Sequence, residues 1–528
     1  MKTRISLLLM AVLFCRLIVA QVHISVPDPE TWTTDELTPY IGQTVIFDCP
    51  IVVSSNASST SLTVSPRRLF TPTNQAFPRT DEYRSVASLN GKGAMDLTGV
   101  SGYHRCGEKI YHLKAKVNDI TRLSYISGEF RGNTRAELEA GIPDVGDYRI
   151  LVCTMNLEYY LTIPVNNGMG PSSASAHEKQ RTKVIKALTR INADLYGFIE
   201  IATGNEAAAE IATYLNKNLP DRNYTYVSDN SKANGSDIKA AFVYDRNKLK
   251  IYGDLQEIGS TGVKGRKKMQ CFEERATGER FWFSVNHYKA KSGSGSGMDA
   301  DQHDGQGQFN ATRTEESQAV VDLYRQRLAP QSKEKDILIM GDLNAYARED
   351  PIKLFLDNNM IDLHRAFHAD SSYSYQFGGL AGYLDHAICN TTLFPQVTGA
   401  AGFHINSDEN DRYTYDKSSD LTMFRCSDHD PVLVGLKLNN EAVYDPKPVV
   451  NTMDILSGNA HKLIISDART AGGANSYYAI FDITGRPVSW QTLIEQNDQE
   501  VDLPSAPGVY VLYVYFDGTV YRYKFIVR

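Results

Sequence analysis

ILIMGDLNAYAREDP, residues 337–351, runs four apolar residues into a glycine and then places Asp342 and Asn344 one leucine apart. A short apolar run ending in an acid and an amide is the pattern of a buried strand that delivers polar side chains at its edge. The pattern recurs along the chain. LYGFIE ends in Glu200, FWFSVN is followed by His287, and in FRCSDHDPV the residues Asp428, His429 and Asp430 stand immediately before the run PVLVGL. YLDHAI carries Asp385 and His386 inside a further run, and AAFVY (240–244) is another strand candidate. Strands of one sheet end at common edges, so these residues are expected to gather on one patch. Two-residue spacing puts Asp342 and Asn344 on the same side if the strand continues through them.

Helical stretches lie between the runs. SAHEKQRTKVIKALTRI, from Ser175, sets Val184, Ile185, Leu188 and Ile191 at helical spacing, and TEESQAVVDLYRQRL follows from Thr314. This alternation over residues 147–438 predicts an α/β layered domain around a buried sheet core. KSGSGSGMDADQHDGQGQFN (291–310) has the composition of a flexible loop, either a disordered insertion or a substrate-contacting segment. Residues 21–142 read as a small β domain containing the apolar, β-branched run TVIFDCPIVV from Thr44. Residues 439–450 form a polar linker. Beyond it, 451–528 predict a small antiparallel β-sandwich whose last two alternating runs join at Asp517-Gly518.

A chain of 528 residues exceeds one ordinary domain. A net charge of -7 argues against a passive nucleic-acid coat protein, yet leaves open an enzyme that meets phosphates through a divalent cation. Residues 1–20, with Lys2 and Arg4 before an apolar stretch and Ala20 at a cleavage position, predict a signal peptide and a secreted or cell-surface protein. No later run reaches transmembrane length. Of the six remaining cysteines, Cys389 and Cys426 are the expected disulfide pair, with buried thiols as the alternative.

Carboxylate and amide oxygens suit a hard divalent cation, and histidines paired with carboxylates serve as acid–base groups. The chain carries no H-E-x-x-H, no G-x-S-x-G and no P-loop. Phosphate-ester hydrolysis therefore fits better than acyl transfer or nucleotide switching. Taken singly, each residue has a structural alternative: Glu200 as a solvated strand-end acid, Asp342 as a turn former, His287 as a satisfied core histidine, Asp428 and Asp430 as strand caps.

GDLNAY and SDHDPV, with LYGFIEI upstream and VNHYKAK between them, resemble the endonuclease/exonuclease/phosphatase superfamily and its pancreatic deoxyribonuclease-like fold. DADQHDGQGQFNATR (299–313) resembles a loop of secreted bacterial extracellular nucleases. TVIFDCPIVV with SPRRLFTPTN (65–74) is similar to the OB-like module that precedes their catalytic domain. FDITGRPV and PSAPGVYVLYVYFDGTVYRYKFIV, near the C-terminus, are similar to sorting domains of type IX secretion substrates. The resemblance implies an α/β protein: a four-layer α/β sandwich catalytic domain, preceded by an OB-like β domain and followed by a small β-sandwich.

The same resemblance implies a secreted, magnesium-dependent nuclease, with manganese or calcium as alternative ions. It would cleave extracellular DNA, with RNA as a second substrate, by in-line attack of activated water. The C-terminal domain would engage secretion machinery, and no stable protein partner is expected. Residue by residue, it implies that Glu200, Asn156 and Asp428 hold the metal, while Asp342 and Asn344 align water and phosphate. His429 would contact the scissile phosphate, oriented by Asp385, with His287 as the second active-site histidine. Lys239, Asn310 and Arg313 would contact substrate. Two other readings stand beside it: a secreted phosphomonoesterase or sphingolipid phosphodiesterase of the same superfamily, and a noncatalytic DNA-binding adhesin.

Overall fold

A computed structural model of the chain describes residues 21–56, 59–162, 169–229, 237–259, 265–439, 455–457, 462–466, 477–482, 486–492, 498–516 and 519–527. The expected signal segment, all but the first residue of the 439–450 linker, and the Asp517-Gly518 turn lie outside the described residues. The chain divides into two compact units, residues 1–69 with 88–134 and residues 70–87 with 135–528.

In the first unit TVIFDCPIVV forms two strands, Thr44–Phe47 and Ile51–Ser55, because Pro50 has no N–H to continue a ladder. The long strands Lys109–Asp119 and Arg122–Arg131 pair with one another and close a ring with Ile51–Ser55, Ser61–Ser65 and Met95–Thr98. Five strands is the number of an OB-like barrel, and Thr44–Phe47 with Val22–Ile24 extends the sheet from one side of Lys109–Asp119. Phe47, Val53, Val64, Leu97 and Leu113 fill its interior.

The second unit holds two six-stranded sheets. The first runs Tyr224–Tyr226, Ile238–Asp245, Leu195–Ala202, Ile150–Tyr160, Val432–Leu436, Val397–Gly402, with Ile150–Tyr160 and Leu195–Ala202 parallel. The second runs Leu249–Glu257, Lys267–Glu274, Arg280–His287, Ile337–Asp342, Asp385–Asn390, Met360–Asp362, with Arg280–His287 and Ile337–Asp342 parallel. Val152, Leu195 and Ile199 from one sheet pack with Phe283, Leu338 and Met340 from the other, so the sheets lie face to face. On the outer face of the first sheet, Cys153, Met155 and Phe198 pack against the helices Ala174–Ile191 and Glu206–Asn218. On the outer face of the second, Ile337 and Ile339 pack against Val320 and Val321 of Asn310–Asp322 and Ile352 and Phe355 of Asp350–Asp357. Helix, sheet, sheet and helix make the four layers, and strands buried on both faces explain the unbroken apolar runs. At the C-terminal end, described strands form a three-stranded and a four-stranded antiparallel sheet that share Ile480, Val501 and Leu512 in one core.

The expected Cys389–Cys426 disulfide does not form, and both are buried free thiols. Cys389 lies between the two sheets with Leu338 and Met340, whereas Cys426 lies on the far side of the first sheet against helix 174–191. A sheet separates them. Burial pushes the Cys426 thiol up to about 12 and raises that of Cys389 well above its ordinary value, which keeps both protonated. Among the described residues no helix is long and apolar enough to cross a membrane.

Candidate active site

The parallel register of strands 280–287 and 337–342 sets His287 opposite Asp342, and the antiparallel register of 337–342 with 385–390 sets Asp342 opposite Asp385. Directly opposed residues project from the same face of a sheet, so the three form one polar rung. Gly341 permits this close pairing: a Cβ there would lie 2.2 Å from the backbone oxygen of Asn286.

The first sheet supplies the other wall. Asn156 lies in strand 150–160, and its side-chain Nδ2 donates to Asp342 Oδ2 at 3.3 Å, joining the two sheets at their polar edge. Glu200, in strand 195–202, accepts the Tyr159 N–H at 3.1 Å. His287 Nε2 lies 3.5 Å from Glu200 Oε1 and 3.8 Å from Asp342 Oδ2. His429 precedes the strand Val432–Leu436; its Nδ1 lies 2.7 Å from Asp385 Oδ2, and its Nε2 lies 3.9 Å from both Asp342 Oδ2 and Asp428 Oδ2. Ser427 Oγ donates to the Asn156 carbonyl at 2.7 Å and ties this loop to the first sheet. Glu200, Asp342 and His429 thus line one cleft.

Asn344 departs from the sequence expectation. The strand ends at Asp342, and Asn344 adopts the left-handed conformation at φ 48°. Its backbone N–H donates to Asp342 Oδ1 at 2.8 Å, while its Nδ2 donates to the Tyr288 carbonyl at 3.2 Å. A turn in which the Asp side chain captures the amide two residues on, not continued strand pleating, brings the pair together. Glu158, Tyr159, Glu200 and Arg425 are also left-handed around this cleft, at φ 49°, 56°, 57° and 55°. Each such non-glycine residue costs about 1–2 kcal/mol, a strain that packing elsewhere must hold.

Charge is unevenly matched in the cleft. Burial, then repulsion from Asp428, pushes Glu200 up to about 7. Burial raises Asp342 as well, with His429 opposing the shift and Asp385 adding to it. Glu158, missed by sequence reasoning, is raised by burial and by Asp428, with Arg425 pulling the other way; its Oε2 has no hydrogen-bond partner among the described residues. Burial works against a charged His429, but Asp385, Asp428 and Asp342 outweigh it and hold the imidazole well above its ordinary value. Burial, aided by Arg266, pushes His287 far down and keeps it neutral. Two histidines, 3.8 and 3.9 Å from the same Asp342 oxygen, are therefore pushed towards opposite protonation states.

A crowd of acids raised in this way calls for a cation. The donor set is carboxylate and amide oxygen, the preference of a hard divalent ion. Among the described residues no group of three or more His, Cys, Asp or Glu side chains has metal-holding geometry. Such a donor set suits an ion that takes one or two protein carboxylates and fills its remaining positions with water and substrate oxygen.

Three further residues were missed. Ser374 Oγ donates to Asp385 Oδ2 at 2.7 Å and accepts the Asp385 N–H, fixing the carboxylate that holds His429. The Tyr375 ring stacks on His429 with centroids 4.6 Å apart. Arg425 donates to the Ser427 carbonyl at 3.0 Å. Glu158 lies past a register shift that breaks the alternation of TMNLEYY, and SSYSYQF carries no strand-end signal.

The three residues expected to contact substrate have other partners. Lys239 is buried with its ammonium 3.0 Å from Asp229 Oδ2. Arg313 is buried and donates to the carbonyls of Gln308 at 2.7 Å and Gln306 at 2.9 Å, bracing the 291–310 segment from within. Asn310 Nδ2 donates to Asp350 Oδ2 at 2.8 Å. No hydrogen bond or ion pair among the described residues joins any of the three to the cleft. A basic or amide residue near a loop is as readily recruited to hold backbone as to face solvent.

Residues 165–429, half of the chain, match the sequence model of the Endonuclease/Exonuclease/phosphatase family. No curated protein matches the chain in sequence. Similar solved structures include an endonuclease/exonuclease/phosphatase from Bacteroides vulgatus, at 13% identity over 55% of this chain and 99% of that one, TM-score 0.36. The catalytic domain of human Nocturnin with bound sulfate is 14% identical over 55% and 94%, TM-score 0.37. D. rerio TDP2 complexed with a single-strand DNA product is 13% identical over 55% and 99%, TM-score 0.36. With its motifs, its paired sheets and its match over half its length, the chain belongs to the endonuclease/exonuclease/phosphatase family of phosphate-ester hydrolases.

Proposed function

We propose that the chain is an exported, magnesium-dependent nuclease that hydrolyses phosphodiester bonds of extracellular DNA, with RNA as a second substrate. The observation that carries this reading is the His429–Asp385 pair set beside Asp342 in a buried cleft. Asp385, Asp428 and Asp342 favour the doubly protonated imidazole, in which Nδ1–H is spent on Asp385 and Nε2–H donates to a phosphate oxygen. Asp342, held by the Asn344 N–H and by Asn156 Nδ2, accepts the proton of the attacking water. Neutral His287 and the Asn344 region support non-bridging oxygens from the second sheet. Glu200, with Asn156 and Asp428 at hand, would hold the ion, which when bound neutralises charge on the phosphorane.

Supercoiled plasmid, RNA and a chromogenic phosphate monoester, each incubated with the full chain in magnesium or in EDTA, test this reading. Magnesium-dependent nicking that EDTA abolishes is the expected outcome. Monoester turnover without cutting of DNA or RNA would overturn it in favour of the phosphatase activities that the family also contains. Export predicts a mature N-terminus at Gln21, read by mass spectrometry of the protein recovered outside the cell.

A further inference from the structure

Two arginines outside the catalytic cluster are charged, buried and incompletely matched. Arg348, in the loop that follows Asp342, and Arg365, in the helical turn Leu363–His368, have side chains only 2% and 3% exposed. Arg348 NH2 lies 2.6 Å from Asp370 Oδ1, and Arg365 Nε lies 3.9 Å from the same oxygen. Arg348 Nε also donates to the Gln75 carbonyl at 3.2 Å, and its guanidinium lies over the Phe77 ring. Beyond that, Arg348 NH1, Arg365 Nε and Arg365 NH1 are buried without an acceptor among the described residues. Other buried arginines, such as Arg313 and Arg425, leave an Nε unmatched; among the described residues only this pair leaves terminal NH1 groups unmatched on neighbouring guanidiniums.

The other acid near Arg365 is already committed. Asp362 Oδ2 accepts the Tyr383 hydroxyl at 2.7 Å, and Oδ1 caps the Arg365 backbone N–H. One oxygen of one half-exposed carboxylate therefore serves two guanidiniums. Asp370 reaches it through a costly turn, since Ala369 before it sits at φ 51°, ψ -130°, a region that disfavours a side chain. Residues 368–371 are exposed, so Asp370 swings outward without unpacking the core.

We infer that Arg348 and Arg365 form a binding site for a tetrahedral oxyanion, free phosphate or a terminal phosphoryl group, whose place the Asp370 carboxylate occupies in the unliganded chain. Guanidinium forks match phosphate oxygens in pairs, and a dianion with three such oxygens satisfies donors that a single carboxylate oxygen cannot. Burial, and the neighbouring Arg348 charge, push Arg365 below its ordinary value, the direction expected of a site short of negative charge. The site does not depend on the hydrolytic reading, because among the described residues no hydrogen bond or ion pair joins Arg348, Arg365 or Asp370 to the catalytic side chains.

The full chain, its D370A, D370N and R365M variants, and the D370A/R365M double variant separate this site from the cleft when melted in EDTA against rising inorganic phosphate. D370A should unfold at a lower temperature than wild type without phosphate, recover with it, and bind phosphate about tenfold more tightly. D370N should behave in the same direction while keeping the side-chain shape, and the double variant should lose the phosphate response. Running the series again with a nucleoside 5′-monophosphate identifies the source: stronger rescue than by inorganic phosphate assigns a phosphoryl group, equal or weaker rescue assigns the free anion. Equal phosphate responses in wild type, D370A and D370N would overturn the site, since binding would then lie elsewhere, as would a response that survives in the double variant.

Discussion

Strand Ile150–Tyr160 feeds two buried clusters built from the same residue types, and they behave oppositely. At one, Tyr160, His177 and Arg181 converge on Glu210: the Tyr160 hydroxyl donates at 2.7 Å, His177 Nε2 lies 3.0 Å away, and Arg181 NH1 donates at 3.0 Å. Burial raises Glu210, but those three partners overcome it and bring the carboxyl to about 2. At the other, around Asn156, carboxylates outnumber their donors, and Glu200, Asp342 and Glu158 are all pushed up. The first cluster braces helices 174–191 and 206–218. The second is left electrostatically incomplete by its own residues, and such incompleteness marks a place where ligand, ion and substrate finish the structure.

This contrast is sharpened first by removing an acid from the incomplete cluster. E200Q and H429A should each lower phosphodiester turnover about a thousandfold or more, read by plasmid nicking, with circular dichroism unchanged. In EDTA, E200Q should unfold about 1 kcal/mol less easily than wild type, because it deletes a buried, repelled carboxylate. A destabilised E200Q would break the comparison.

A smaller effect belongs to the residues that position His429. D385N should lower kcat about a hundredfold with KM little changed, and S374A, which removes one hydrogen bond to Asp385, should lower it about fivefold. Equal losses in the two variants would mean that Ser374 does more than orient Asp385.

The balanced cluster should show no catalytic effect at all. E210Q should leave kcat unchanged and cost about 1–3 kcal/mol of stability, measured by urea unfolding. Glu210 is held below its ordinary value of 4.5, so its contribution is complete above pH 4.5 and disappears as pH falls towards 2. Wild type should accordingly lose stability across that window more steeply than E210Q. A catalytic defect in E210Q would erase the distinction between the two clusters.

Much of the cleft was legible because burial on both faces of a strand forces an apolar run, and a polar residue ending such a run sits at the sheet edge. GDLN, FIE, VNH and SDHD all announced themselves in that way. Glu158, Ser374 and Tyr375 did not: the first lies past a register shift in strand 150–160, and the others belong to a short hairpin with no apolar punctuation. The partners of Lys239, Asn310 and Arg313 were not legible, since one-dimensional order does not reveal which carboxylate or carbonyl will claim a cation or an amide. The Cys389–Cys426 pairing failed likewise, for nearness to one site in sequence does not say on which side of a sheet a thiol lies.

What the sequence determined by itself was the set of strand-end acids, amides and histidines and the layered α/β class, because the period and length of apolar runs are local consequences of burial. What only the tertiary structure decided was the register that sets His287, Asp342 and Asp385 in one rung, the left-handed turns that aim Glu200 and Asn344, and the opposite directions in which two histidines beside Asp342 are pushed. Those depend on which distant groups share a few ångströms of low-dielectric space, and Coulomb interactions and desolvation act through that distance, not through separation along the chain.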